Sequence, residues 1–166
     1  MLFRSNEGAT NRYNSDVLRI TAYIAWSLAN TGYQGPAVEK AKQFIESHSS
    51  SKPDAYTLAI IANFAADYGA AGHENARDFT RRSMQSLLDA RTEKDDQVFW
   101  SAEETGVYST GSSAAIETTG LAAQALIKGQ QASETVRKAL NFISAKKQAS
   151  GNWGTTQATI DRKSVV

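Results

Sequence analysis

Apolar positions recur with a helical spacing along nearly the whole chain, and they do so in two different ways. In "DVLRITAYIAWSLANTG" (residues 16–32), "DAYTLAIIANFAADYG" (54–69) and "AAIETTGLAAQALIKG" (114–129), apolar or small residues fall on nearly every face. A helix enclosed on all sides has that pattern. Between and after these segments the apolar residues keep to one stripe: Val38, Ala41, Phe44 and Ile45, then Ala76, Phe79, Leu87 and Leu88, then Val136, Leu140 and Ile143. The opposite faces carry Glu39, Lys40, Lys42 and Glu46, or Arg77, Asp78, Arg81 and Arg82, or Arg137 and Lys138, as on a helix with one side in water. Inner and outer helices therefore alternate.

Punctuation places the boundaries. Ser15 or Asp16 caps the first helix, which ends at Gly32; Pro36 opens the second, and Pro53-Asp54 the third. The fourth begins at Glu74, the fifth follows Ser112-Ser113 and the sixth follows Ser133, while Thr155-Thr156 starts a seventh. Residues 93–111 break the rhythm. There Val98-Phe99-Trp100 and Val107-Tyr108 flank Thr105-Gly106, which predicts a short β-hairpin or an ordered loop.

Inner helices starting near residues 16, 54, 114 and 155 imply a repeat of roughly 40 residues, lengthened once by about 20. An open solenoid would leave a polar face on both helices of each pair. The contrast in polarity and the abundant inner Ala favour a closed ring instead. The fold expected is all-α, a partial α/α toroid of about three and a half helix pairs, with the insertion near 93–111. Residues 1–14 read as an extension and 15–166 as one helical domain.

Composition narrows the chemistry. Eighteen Lys+Arg against 17 Asp+Glu leave a net charge of +1, so no bulk attraction to nucleic acid is implied. The longest apolar run, "AYTLAIIANFAADYG", is interrupted by Asn63 and Asp67 and is too short to insert across a membrane. "MLFRSNEGATNRYNS" has no apolar stretch of signal-peptide length. Without cysteine the chain forms no disulfide, thiolate nucleophile or thioester of its own.

Candidate sites are few. His48 and His73 lie in Ser-rich and Gly-rich loops without a partner at ligand spacing, and read as solvated, so no metal or other cofactor is expected. Glu103-Glu104 could pair for acid/base work but read as solvated turn charges. Glu117, followed by Thr118, begins a mostly apolar inner helix; it should cap backbone N–H groups or meet a cation, a structural role. Gln157 is placed to bond loop backbone, and Trp153 to plug the junction opened by a turn at Gly151. Trp100 is either a partner contact or a cover over the apolar end of the barrel.

The succession "LRITAYIAWSLANTGY", "DAYTLAIIANFAADYG", "AIETTGLAAQALIKG", "VRKALNFISAKKQASGNWGTTQATI" resembles the C-terminal half of the thioester-containing domain of the alpha-2-macroglobulin and complement family, in its bacterial form. Glu117-Thr118-Thr119 and the later Gly-x-Trp-Gly-x-Thr-Gln-Ala-Thr carry the likeness most specifically. It implies a toroid in which this chain supplies a little over half of the helix pairs. It also implies a parent protein that traps proteases or serves in defence, outside the cell, in the periplasm or in the envelope. The family's Gly-Cys-Gly-Glu-Gln thioester motif does not occur here, and its transacylating His lies upstream of the matched region, so neither is carried over. Gln148-Ala-Ser-Gly-Asn-Trp153 also resembles the Gln-Trp repeat of terpenoid cyclases, on the same kind of barrel. There Asp95-Asp96 would begin a diphosphate site, but Phe99 stands where a third Asp belongs. A non-catalytic module is therefore expected, with an α/α-barrel enzyme or a protein-binding helical scaffold as alternatives. An incomplete ring would leave inner faces bare, so the expected partners are a protease met by the parent, the missing half of the toroid, or a second copy.

Overall fold

The structure is a computed structural model and describes residues 7–48, 52–106 and 108–146. In chain order these form α1 (Glu7–Asn30), α2 (Pro36–Ser47), α3 (Ala55–Ala70), α4 (Ala76–Asp89), β1 (Thr92–Lys94), β2 (Gln97–Phe99), α5 (Gly111–Lys128) and α6 (Ser133–Ala145). The fold is all-α with one short hairpin. The first helix begins earlier than a cap at Ser15 or Asp16 would place it, no proline interrupting Glu7–Asp16. Its end is as expected, with Gly32 left-handed at φ +81°. Pro36 occupies the first turn of α2, and the Asp54 side chain accepts from the Thr57 N–H at 2.7 Å to cap α3. The expected seventh helix lies outside the described residues.

The two classes of helix become two layers. Helix α3 lies between α1 and α5, and each of the three carries one outer helix: α2 on α1, α4 on α3, α6 on α5. Ala59, Ala62 and Ala65 of α3 and Ala122, Ala123 and Ala125 of α5 are fully enclosed, and their small side chains let the inner backbones approach closely. Larger residues fill the space between layers. Phe64 and Tyr68 of α3 meet Phe79 of α4 edge-on at 5.7 and 6.0 Å, and Met84 and Leu87 complete the seam.

The hairpin sits earlier than its aromatic clusters suggested. Thr92, Glu93 and Lys94 pair with Phe99, Val98 and Gln97, and the turn falls on Asp95-Asp96, with Asp95 left-handed at φ +54°. Arg137 of α6 donates to Asp96 at 2.6 and 3.0 Å and to Glu134, Asn141 donates to Asp96, and Lys138 pairs with Glu93. Phe99 stacks on Phe142 at 4.8 Å beneath these bonds, joining the insertion to the last outer helix. Thr105-Gly106 belongs instead to a separate turn, closed by a bridge between Glu104 and Thr110.

Candidate functional site at the two ends of the inner helices

The polar residues of the inner layer collect at its two ends. At one end Thr105, Gly106 and Ser109 lie against α3 and α5. The Thr105 N–H donates to the Ser109 carbonyl at 3.0 Å, and the Ser109 N–H donates to Thr105 Oγ1 at 3.2 Å. Gly106 lies so close to α3 that a Cβ there would come within 3.1 Å of the Tyr56 hydroxyl. Thr105 Oγ1 in turn donates to Glu117 Oε2 at 2.9 Å. The Ser109 and Tyr56 hydroxyls lie near enough to the same carboxyl to favour its ionised form. Glu117 is 1% exposed, and burial pushes its carboxyl above the usual carboxylate range, the three hydroxyls opposing the shift only in part. The expected backbone N–H or cation is thus replaced by hydroxyls, because the loop that folds over the start of α5 brings Thr105 and Ser109 to it. Beside this cluster Arg19 of α1 holds Asp54 at 2.6 Å and lies over the Tyr56 ring.

Trp100 is no contact surface: it is 0% exposed. Its indole N–H donates to the Leu87 carbonyl at 2.7 Å, and its backbone N–H donates to Thr119 Oγ1 at 3.1 Å, so it joins the end of α4 to α5. Thr118, one residue before, is fully buried, and its hydroxyl finds no partner among the described residues. Across the α3–α5 contact, Asn63 donates to the carbonyls of Ala59 and Leu121, both at 2.9 Å. The exposed aromatic of the insertion is Tyr108, at φ +61°.

At the other end, three helix C-termini meet one cation. Lys128 of α5 reaches both carboxylate oxygens of Asp67 on α3, at 2.8 and 2.9 Å, and Asn30 of α1 at 3.2 Å. Trp26 donates its indole N–H to the same Asp67 at 3.0 Å, and Lys128 lies 5.7 Å from the Trp26 ring centre. Placing the charge at the negative ends of these helix dipoles adds to the attraction. Sequence reasoning passed over this cluster, although Asp67 interrupting an apolar run was its signal.

The remaining candidates are ordinary structural groups. His73 is not solvated: it stacks on Tyr68 at 4.1 Å, and its Nδ1 lies 3.0 Å from Glu39, which also accepts from the Tyr68 hydroxyl at 2.5 Å. Burial and the adjacent Glu39 hold that phenol well above its usual range. His48 stacks on Phe44 and donates Nδ1–H to the Phe44 carbonyl at 2.8 Å. Glu103 and Glu104 are exposed. Asp96, which would start a diphosphate site, is held by Arg137 and Asn141, and the Arg137 guanidinium keeps it below the usual carboxylate range. Gly151, Trp153 and Gln157 lie outside the described residues. Among the described residues no three His, Asp or Glu side chains are grouped to hold a metal ion, and no helix is long and apolar enough to cross a membrane.

Neither end displays reactive machinery. Among the described residues Glu117 is buried, the acid at the opposite end pairs with Lys128, and the inner helices between them are packed with Ala, larger apolar residues, Asn63 and Thr118. What the arrangement does is hold three inner helices side by side. A comparison with curated proteins finds no match. The A-macroglobulin TED domain family matches residues 4–161, nearly the whole chain. Its succession of inner and outer helices, and a Glu117-Thr118-Thr119 stretch that forms the buried heart of α5, agree with that match: the chain belongs to the A-macroglobulin TED domain family.

Proposed function

We propose that this chain is a non-catalytic part of a macroglobulin-like thioester domain, within a parent protein that inhibits endopeptidases or acts in defence at or beyond the cell envelope. The observation that carries the reading is the family match over residues 4–161. The inner layer supports it, since its centre is packed with alanine rather than opened into an acid-lined cavity, as an α/α-barrel enzyme would require. Lacking cysteine, the chain serves as scaffold, and any thioester belongs to another part of the parent. The layer is a partial toroid. Ile20, Tyr23 and Ile24 of α1 are more than half exposed, beside a groove of about 460 Å³ lined by Leu28, Ala41 and Phe44, whereas α3 has inner neighbours on both sides. An inner helix with this composition is built to receive another inner-type helix, from the remainder of a ring or from a second copy.

The test is to sequence the parent gene around this region and assay its product against endopeptidases acting on a large protein substrate. The reading predicts an upstream Gly-Cys-Gly-Glu-Gln motif or preceding β-sandwich repeats, and inhibition by the full-length product. A short, self-contained gene whose product leaves endopeptidases unaffected would overturn it.

A further inference from the structure

Glu117 poses a question that a scaffold role leaves open. A carboxyl 1% exposed faces three hydroxyls and, among the described residues, no cation, where a plain structural contact would be served by Gln. We propose that Glu117 and the hydroxyls of Tyr56, Thr105 and Ser109 form a protonation-controlled latch, which holds Thr105 and Ser109 against α5 while the carboxyl is neutral and loosens them when the carboxyl ionises.

Backbone bonds from Thr105 N–H to the Ser109 carbonyl and from Tyr108 N–H to the Thr105 carbonyl shape the turn, and the Glu117 contacts dock it. Thr105 Oγ1 accepts from the Ser109 N–H and donates to Glu117, so one of the bonds that close the turn and the bond that docks it share an atom. Gly106 lies flush against Tyr56, whose hydroxyl lies near the same carboxyl. Loosening the turn admits water to Glu117, and an ionised carboxylate gains far more from water than a neutral carboxyl does. The charges on the surrounding elements do not compensate. On the α1 and α3 side Arg19 is committed to Asp54, and on α5 itself Lys128 is committed to Asp67 at the far end. Arg137 and Lys138 of α6 are held by Asp96, Glu134 and Glu93, the charged residues of α4 are exposed, and so are Glu103 and Glu104 on the turn's own approach. The closed state holds the carboxyl's pKa above its value in water, so the docking stability is full below the hydrated value. It is lost as pH rises through the raised one. The turn carries Tyr108, which is 82% exposed in left-handed backbone, so the latch governs how firmly an aromatic is presented to solvent.

Amide hydrogen exchange on the full chain tests this, with intrinsic rates corrected at each pH. Between about pH 4.5 and about pH 7.5 the protection of the Thr105 and Ser109 amides should fall by up to about tenfold per pH unit over the titration window, while α3 and α6 amides hold steady. In Glu117→Gln the two protections should no longer vary with pH. Tyr56→Phe, which removes one hydroxyl that favours the carboxylate, should move the fall to higher pH, and it reads the latch independently should the Gln variant not fold. Protection that is flat in the wild type, that falls equally in Glu117→Gln, or whose midpoint ignores Tyr56→Phe, overturns the proposal.

Discussion

Trp100 shows how a residue's role is settled by what its polar atom meets. From sequence it was an aromatic in an insertion, free to face a partner or to cover an end; in the structure its N–H is spent on the Leu87 carbonyl and nothing of it faces solvent. Trp100→Phe keeps most of the apolar volume but removes the indole bond, leaving the Leu87 carbonyl its Ala90 N–H alone, and should cost about 0.5–1.5 kcal/mol in urea unfolding. Trp100→Ala adds a cavity and should cost about 3–5 kcal/mol. An unchanged midpoint for both would show that the indole is not buried in solution. Glu117 was legible as a buried acid needing partners, but not which partners, because Thr105 and Ser109 reach it only through a turn that one sequence does not display. His73 was misread for the same reason, since Glu39 lies on another helix, far away in sequence.

At the level of elements, hydrophobic periodicity was enough to separate the layers. Helix α3, apolar on all faces, is buried on nearly all faces, and α4, striped, is buried along its stripe. The hairpin was displaced because Val98-Phe99 pairs backwards with Thr92–Lys94 across a left-handed Asp95, whereas Trp100 went to the core and Tyr108 to solvent. What ties the inner helices to each other was invisible to periodicity. The Trp26, Asp67 and Lys128 clip predicts that Asp67→Ala, leaving both a cation and an indole N–H without their acceptor, destabilises by about 1–3 kcal/mol. Thermal unfolding of the variant checks this. Lys128→Met should cost less than Asp67→Ala, because it removes the cation but leaves the Trp26 bond in place; the reverse order would contradict the geometry.

For the whole molecule, the polarity contrast between helices made the layered architecture readable, while the extent of the ring was not, since closure depends on helices beyond those described. On the proposed reading, the exposed Ile20, Tyr23 and Ile24 of α1 form an inner-helix face that receives another inner-type helix. Multi-angle light scattering on the purified chain over a range of concentrations tests it most directly. The account predicts a mass that rises toward that of a dimer, and that falls back to one chain when Tyr23→Asp and Ile24→Asp place charges on the open face. A wild-type chain that stays strictly monomeric at the highest concentration, with the double variant indistinguishable from it, would contradict the account.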